Sequence, residues 1–457
     1  MMEADTIAAV ITAPGEGGVS IIRVSGPQSF AIADRLFRCA PPLPSRRAEN
    51  TFVYGYVVDG GRILDEGILL CWRAPRSYTC EDVVEFQVHG GAAVSARVLR
   101  ACLSSGARAA DPGEFTRRAF LNGRIDLLQA EAVMDLVRAH SDRARVAALQ
   151  QLEGGLSQKF DDVYDALLLI AAQIEATLDF PEDELPDSVP RLILDQIHAV
   201  QEKIRGLLDT WNEGHYLRDG ALVVLSGKPN VGKSTLLNAL LGHDRAIVSP
   251  IAGTTRDSIE AEFLLEGIPL RLVDTAGLRE SVDEIERQGI HRTRSYLDRA
   301  DLHVHLIDLS QPCDAESSAA LASLIPGKSI LVCNKVDLPQ QFAPGRWPEV
   351  PMVRTALGKG QGVEAVKDAL REVLSGSVDL AARPHAVISE RHRQALEAIL
   401  QELEPLTVLL QSEAAEAQLV LAVPGLRESL TRLGEVTGKT YHEALLDQIF
   451  SSFCIGK

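Results

Sequence analysis

Gly227-Lys228-Pro229-Asn230-Val231-Gly232-Lys233-Ser234-Thr235 is the stretch on which the fold turns. Before it, Ala221-Leu222-Val223-Val224-Leu225 is continuous, apolar and rich in branched residues, which reads as a short buried strand. After it, Leu236, Leu237, Leu240 and Leu241 recur at helical spacing. A glycine-flanked loop between strand and helix turns backbone N–H groups inward around an anion. The helix N-terminus adds the positive end of its dipole. In that setting Lys233 reaches the β- and γ-phosphates of a nucleotide, and the Ser234 hydroxyl ligates Mg²⁺.

Three further segments follow in the order a GTPase needs. Gly253-Thr254-Thr255-Arg256-Asp257 supplies a threonine, Thr255, to close the Mg²⁺ shell and sense the γ-phosphate. Leu270 to Val273 leads as a strand into Asp274-Thr275-Ala276-Gly277, with the carboxylate for a metal-bound water and the glycine for the γ-phosphate. Ile330 to Cys333 leads into Asn334-Lys335-Val336-Asp337, whose carboxylate accepts two hydrogen bonds from guanine N1 and N2. Adenine offers no such donor pair. A lone Asn-Lys-x-Asp is weak evidence, because loops are rich in these residues. Four signals in order define a guanine-nucleotide domain, expected as a Ras-like P-loop α/β fold.

The whole chain bounds the rest. Its 457 residues suggest about three domains, and 46% hydrophobic with 24% charged residues suits several buried cores. Forty-six basic against 63 acidic residues give a net charge of −17, which argues against a protein held to nucleic acid by bulk charge. Seven scattered cysteines show no paired metal spacing, and their odd number suits a reducing cytosol. No signal peptide and no membrane-length apolar run is read, so a cytoplasmic location without a membrane is expected.

The expected organisation is mixed. Residues 1–118 read as an α+β domain, with strands at Thr6–Val10 and Val19–Val24 around the turn Pro14 to Gly18. Further strands are read at Phe52–Val58 and Val83–Val88, and a helix at Ala92–Leu103. Residues 119–217 read as helical. Leu127, Ala130, Val133, Met134 and Val137 share one face; Val163, Leu167, Ile170, Ile174 and Leu178 mark a second helix; Leu194, Ile197, Val200, Ile204, Leu207 and Trp211 mark a third. Residues 218–378 form the G domain, and helical pattern resumes over 379–457, with Leu396, Ile399, Leu403, Leu406 and Leu410 in one stripe. Two helical sets without partners imply one bundle with the G domain inserted through it.

At this point the chain resembles the MnmE (TrmE) family of bacterial and organellar tRNA-modification GTPases, over essentially its whole length. The matching pieces are Ala13 to Val19, Ile22 to Gly26, Ser77 to Glu85, His89-Gly90-Gly91, Pro112 to Thr116, Arg118 to Leu127, Asp179-Phe180-Pro181 and the terminus Phe450 to Lys457. The resemblance implies a homodimer built through the N-terminal domains. It implies joint action with the flavoprotein MnmG to place an aminomethyl or carboxymethylaminomethyl group on C5 of the wobble uridine (position 34) of certain tRNAs. The carbon comes from a tetrahydrofolate (5-formyl or 5,10-methylene), held at the matching positions Arg23, Glu85, Arg124 and Lys457. Taken without the family, Arg124 reads as a surface helix charge and Glu85 as a solvated strand residue. Cys80 stands where the family usually has glycine.

The resemblance also sets the nucleotide contacts: Asn230, Val231, Gly232, Lys233, Ser234, Thr235, Ser249, Thr254, Thr255, Asp274, Thr275, Ala276, Gly277, Asn334, Lys335, Asp337, Thr355, Ala356 and Leu357, with the Ala356 N–H meeting guanine O6. Ras-like enzymes position the attacking water with a glutamine directly after Asp-x-x-Gly. Here that position is Leu278, which cannot hydrogen-bond, so help must come from elsewhere. Asn230 offers a carbonyl to a K⁺ ion, with Ser249, Ile251 and Thr254 completing its shell, and the family implies that Glu286 orients the water. Glu286 also reads as a salt-bridged surface residue. Cys454 is a third catalytic candidate: a cysteine near a cationic end can act as a nucleophile, and a bland buried cysteine is just as common. A regulatory GTPase switch in ribosome assembly or translation is the alternative; it would carry an RNA-binding appendage, and none is read here.

Overall fold

The computed structural model describes residues 5–47, 50–179, 189–243, 260–274, 296, 299–375, 387–411 and 419–457. These divide into two compact units: residues up to Met134 together with Leu433–Lys457, and Asp135–Arg432.

The first unit is built on a seven-stranded sheet. Its strands are β1 (Ile7–Val10), β2 (Val19–Ser25), and, after helix α1 (Ser29–Leu36), β3 (Phe37–Cys39), β4 (Thr51–Asp59), β5 (Arg62–Trp72) and β6 (Val83–His89). Helix α2 (Ala92–Ser104), β7 (Arg108–Ala109), α3 (Glu114–Leu121) and α4 (Leu127–Arg138) follow. The order is β3-β4-β5-β6-β2-β1-β7, with β1 and β2 antiparallel across the glycine-rich turn as expected. Alternation decides the faces: Ile22, Val24, Val57, Leu69, Val84 and Phe86 are buried in one core with residues of α1 and α2. On β4 the alternate residues Phe52, Tyr54 and Tyr56 point the other way and are exposed. The sequence reading had no strand for residues 62–72. Gly67 interrupts the apolar alternation there, and it pairs with Gly55 of β4.

In the second unit the helices are α5 (Asp142–Leu152), which the sequence reading did not place, α6 (Gly155–Asp179), α7 (Val189–Leu208) and α8 (Trp211–Asp219). The nucleotide domain follows as β8 (Ala221–Ser226), α9 (Lys233–His243), β9 (Glu260–Leu265), β10 (Ile268–Asp274), β11 (Leu302–Asp308), α10 (Ala315–Ala322), β12 (Ser329–Asn334), β13 (Met352–Arg354) and α11 (Val363–Ser375). Helix α12 (Glu390–Leu410) and most of α13 (Val423–Thr437) complete the second unit, and α14 (Glu443–Phe450) belongs to the first. The sheet order β13-β12-β11-β8-β10-β9 is parallel except for β9, which pairs antiparallel with β10.

Helix α7, before the nucleotide domain, packs on both α6 and α12, and Gln201 Nε2 donates to Thr407 Oγ1 at 3.3 Å. Ile197, Val200, Ile204, Leu396, Ile399 and Leu403 are all buried. Helices from either side of the inserted segment thus pack directly on one another. Three stripe assignments need correction. Val137 is 48% exposed although it keeps the spacing of Met134; Ile193, not Leu194, is buried on α7; and Trp211 opens α8 instead of ending α7. An apolar residue at helical spacing near a helix end outruns the surface its neighbours cover.

Helix α8 joins the bundle to the sheet. His215 pairs with Asp219 at 3.1 Å and Asp301 at 3.5 Å, and stacks on Trp211. The Asp219 and Asp301 carboxylates push its pKa up to about 9. A raised folded-state value means that the stabilisation is complete below the unfolded value of about 6.5 and is lost as pH climbs through about 9. Thermal melts between those pH values should fall by on the order of 2 kcal/mol in the wild-type protein and much less in His215→Gln; parallel curves would remove this role from His215.

Candidate guanine-nucleotide site

The loop between β8 and α9 is set by two glycines at which any side chain would be strained. Gly227 has φ +133, and a Cβ there would sit 2.3 Å from the Leu306 carbonyl. Gly232 has φ +110, and its Cβ would sit 2.4 Å from Asn334 Nδ2. Between them the loop wraps Lys233, only 5% exposed, whose Nζ donates to the Gly227 and Lys228 carbonyls at 2.8 Å each. Those two carbonyls fix where the lysine head group lies within the loop. Ser234 Oγ donates to Asp274 Oδ2 at 3.2 Å, so the hydroxyl and carboxylate expected at Mg²⁺ lie together. Both are hard oxygen donors of the kind Mg²⁺ takes, and the pair fits that ion.

Asn334 is the hub of the base side. Its Nδ2 donates to the Val231 carbonyl at 2.8 Å, while Oδ1 accepts from Thr355 Oγ1 and Leu357 N, both at 3.0 Å. Lys335, at φ +64, pairs with Asp308 at 2.6 Å. Burial alone would raise the Asp308 pKa, but the Lys335 and Ser310 bonds hold it below the usual carboxylate range. Asp337 pairs with Lys359 at 3.1 Å, which holds its carboxylate ionised and acceptor-only. The Ala356 N–H is given to the Gln361 carbonyl at 3.1 Å, so it is not turned to a base here. Asn230 and Thr235 are exposed, Asn230 with φ +62. Ser249, Ile251, Thr254, Thr255, Thr275, Ala276, Gly277, Leu278 and Glu286 lie outside the described residues. Asp308 and Lys359 were missed from sequence. An aspartate closing the apolar run of β11 was the available signal for the first; the second is long-range and left none.

In the first unit, Arg23 Nε donates to Glu85 Oε1 at 2.7 Å. The Arg23 and Arg124 guanidiniums lie 4.9 and 4.7 Å from the centroid of the Tyr78 ring, and Arg124 also bonds the Tyr78 carbonyl at 2.7 Å. Arg23 lies 5.4 Å from the Phe115 ring as well. The C-terminal tail docks at the same phenylalanine: the Phe115 N–H donates to the Lys457 carbonyl at 3.2 Å, and the Gly113 N–H to that of Cys454 at 3.4 Å. Arg23 and Arg124 thus converge on Tyr78, Glu85 holds Arg23, and the Lys457 carbonyl reaches their neighbour Phe115. Cys454 is exposed and Cys80 holds a left-handed φ of 58°. Among the described residues no cluster of three or more His, Cys, Asp or Glu is placed to hold a metal, and no helix is long and apolar enough to cross a membrane.

A phosphate loop on a six-stranded, mostly parallel sheet, coupled through Asn334 to a base-side loop, makes this a P-loop guanine-nucleotide protein. Residues 6–124 match the family model "GTP-binding protein TrmE N-terminus", and residues 127–454 match "MnmE helical domain". Proteins named tRNA modification GTPase MnmE are 43% identical in Geobacter sulfurreducens, over 99% of both chains, and 42% identical in Geobacillus kaustophilus, over 100% of both. The chain belongs to the MnmE family of tRNA modification GTPases, and is accordingly an enzyme that hydrolyses GTP in tRNA modification.

Gly232→Ala tests the coupling of the loops. A side chain forced into left-handed backbone against Asn334 costs roughly 1–3 kcal/mol, so GTP affinity should fall roughly ten- to hundredfold in a fluorescent-nucleotide titration. Wild-type affinity would mean that the Asn334–Val231 bond does not shape the loop.

Proposed function

We propose that this chain is the K⁺-dependent GTPase that, with the flavoprotein MnmG, builds the aminomethyl or carboxymethylaminomethyl group at C5 of uridine 34. It works as a cytoplasmic homodimer, with a G domain at 218–378 inserted between helical segments 119–217 and 379–457. A tetrahydrofolate site in the N-terminal domain supplies the carbon. The observation that carries the folate reading is the convergence of Arg23, itself held by Glu85, and Arg124 on Tyr78, beside the docked C-terminus. Aromatic face, guanidinium and buried carboxylate are the groups a planar, donor-rich heterocycle with an anionic tail requires. The exposed Phe52, Tyr54 and Tyr56 on the open face of the sheet support pairing through this domain.

In the G domain, Lys233 and the loop amides would hold the β- and γ-phosphates, and Ser234 with Thr255, beside the Asp274 carboxylate, would hold Mg²⁺. The ions supply positive charge against the phosphates when bound. Asn230 is exposed and held at positive φ, so its carbonyl is free to face a monovalent cation together with Ser249, Ile251 and Thr254. Glu286 orients the attacking water, and Asp337 reads guanine once Lys359 yields.

GTP hydrolysis should then be fast in KCl and slow in NaCl at equal ionic strength, by at least about tenfold, a modest share of what charge-stabilising groups contribute to phosphoryl transfer. Asn230→Ala should be slow in both salts with GTP binding kept. Equal wild-type rates would sink the cation mechanism.

Removing residues 454–457 should leave GTP binding intact while nucleoside mass spectrometry of tRNA from a complemented deletion strain shows unmodified wobble uridine. Wobble uridines left modified by the deletion itself would overturn the whole proposal. Parallel loss of GTP binding would make the tail structural.

A further inference from the structure

Beneath the phosphate loop lies a polar bridge that no expected nucleotide contact uses. Parallel pairing of β8 with β11 sets Ser226, the residue before Gly227, directly opposite His305. Ser226 Oγ bonds His305 Nδ1 at 2.7 Å and also His303 Nε2 from the same strand. The two rings lie 5.8 Å apart. His305 is 8% exposed, and burial holds both imidazoles down at about 4, with the Lys233 ammonium opposing charge on His305. Both rings are therefore neutral around pH 7. A single hydroxyl can then donate to one ring nitrogen and accept from the N–H of the other, so one serine serves both rings at once.

The position of this bridge gives it leverage. Gly227 follows Ser226, and its carbonyl is one of the two that tether Lys233. The Leu306 carbonyl, one residue beyond His305, closes on Gly227 so tightly that no Cβ fits. Strand β11 thus grips the entry to the loop at two successive points, one by steric closure and one by hydrogen bonds. On the outer side Lys228 pairs with Asp314, the N-cap of α10. Ser226 and His305 both line a cavity of about 280 Å³ that also touches Lys228, Asp308 and Phe342, so the bridge has room to loosen if its hydroxyl is lost.

We infer that the His303–Ser226–His305 bridge is a positioning device for GTP: it fixes the first residue of the phosphate loop on β11, so that the carbonyls holding Lys233 stay aligned with the phosphates. None of the three is among the expected nucleotide contacts. The inference rests on the nucleotide reading of this loop.

Steady-state kinetics with the full chain tests it. Ser226→Ala leaves the buried His305 ring and the half-buried His303 ring without their shared partner and should raise KM for GTP, and Kd for GDP, by about tenfold with kcat at saturation kept, the scale of an unsatisfied buried polar group. Because phosphate binding is weakened alike in ground and transition states, the loss appears in KM. A merely structural role would instead lower the active fraction, and so apparent kcat, with KM unchanged. Ser226→Thr restores the hydroxyl and should return KM to within about threefold of wild type. Wild-type KM in Ser226→Ala, or equal defects in the Ala and Thr variants, would overturn the inference. If Ser226→Ala does not fold, His305→Asn, which keeps a hydrogen-bonding atom near Nδ1, should bind GTP better than His305→Leu; equal KM values would overturn it. Failure of the nucleotide reading itself would show separately, as undiminished GTP binding in Lys233→Ala.

Discussion

Asn334 holds the nucleotide domain to one geometry. Its amide is 3% exposed and makes three hydrogen bonds, to the phosphate loop at Val231 and to the base-side loop at Thr355 and Leu357. Removing it would strand three buried groups, each at a cost of about 1–3 kcal/mol. The consequence is coupling: the loop that holds phosphate and the loop that frames the base cannot shift independently. Gly232 is required for the same reason, since the space its side chain would fill belongs to the Asn334 amide.

That rigid core is joined to the helices by local devices. Helix α8 presents His215 to Asp301 at the start of β11, while its own C-terminal carbonyl at Asp219 accepts from Arg271 of β10. Gly214 of the same helix lets Val387 and Ile388 approach to within 3.1 Å of where a Cβ would stand. Both chain crossings between helices and sheet therefore meet at α8. A displacement of β10, whose last residue Asp274 faces Ser234, has a short covalent and ionic path into the bundle. This is a contact path, and its energetic weight depends on α8 having two arrangements.

The parts legible in the sequence were those whose physics is local or periodic. A phosphate loop must be short, glycine-bearing and flanked by strand and helix, so residues 221–241 announced themselves, and Asp274 and Asn334 fell at the ends of apolar runs that became β10 and β12. The stripe Leu396 to Leu410 was equally clear, and all five residues are buried. What stayed hidden was non-local. Strand β5 carries Glu66 and Gly67 in its middle and reads as a strand only beside β4 and β6. Asp308 and Lys359 matter because of partners 27 and 22 residues away (Lys335 and Asp337), which no pattern within one segment encodes. Tyr78 lay inside a quoted motif, yet its place between two arginines arises only when β2 and the segment after α3 close around it.

Backbone strain marks the same places independently. Five described residues other than glycine have positive φ: Asn50, Cys80, Asn230, Glu266 and Lys335. Glu266 sits in the tight β9–β10 connection, where a turn demands it. Three of the others fall at candidate sites: Asn230 in the phosphate loop, Lys335 beside Asn334, and Cys80 two residues from Tyr78. Each costs of order 1 kcal/mol or more and persists only where surrounding contacts hold it. At Lys335 the holding contact is Asp308, and at Cys80 the flanking Thr79 is fixed by Ser25 at 2.7 Å. Among the described residues no hydrogen bond from the Asn230 side chain is seen: it is exposed, and its neighbours Val231 and Lys233 are the residues that are tied down. A left-handed residue carried by its neighbours owes its conformation to the fold of the whole loop, so what fixes Val231 and Lys233 also fixes Asn230.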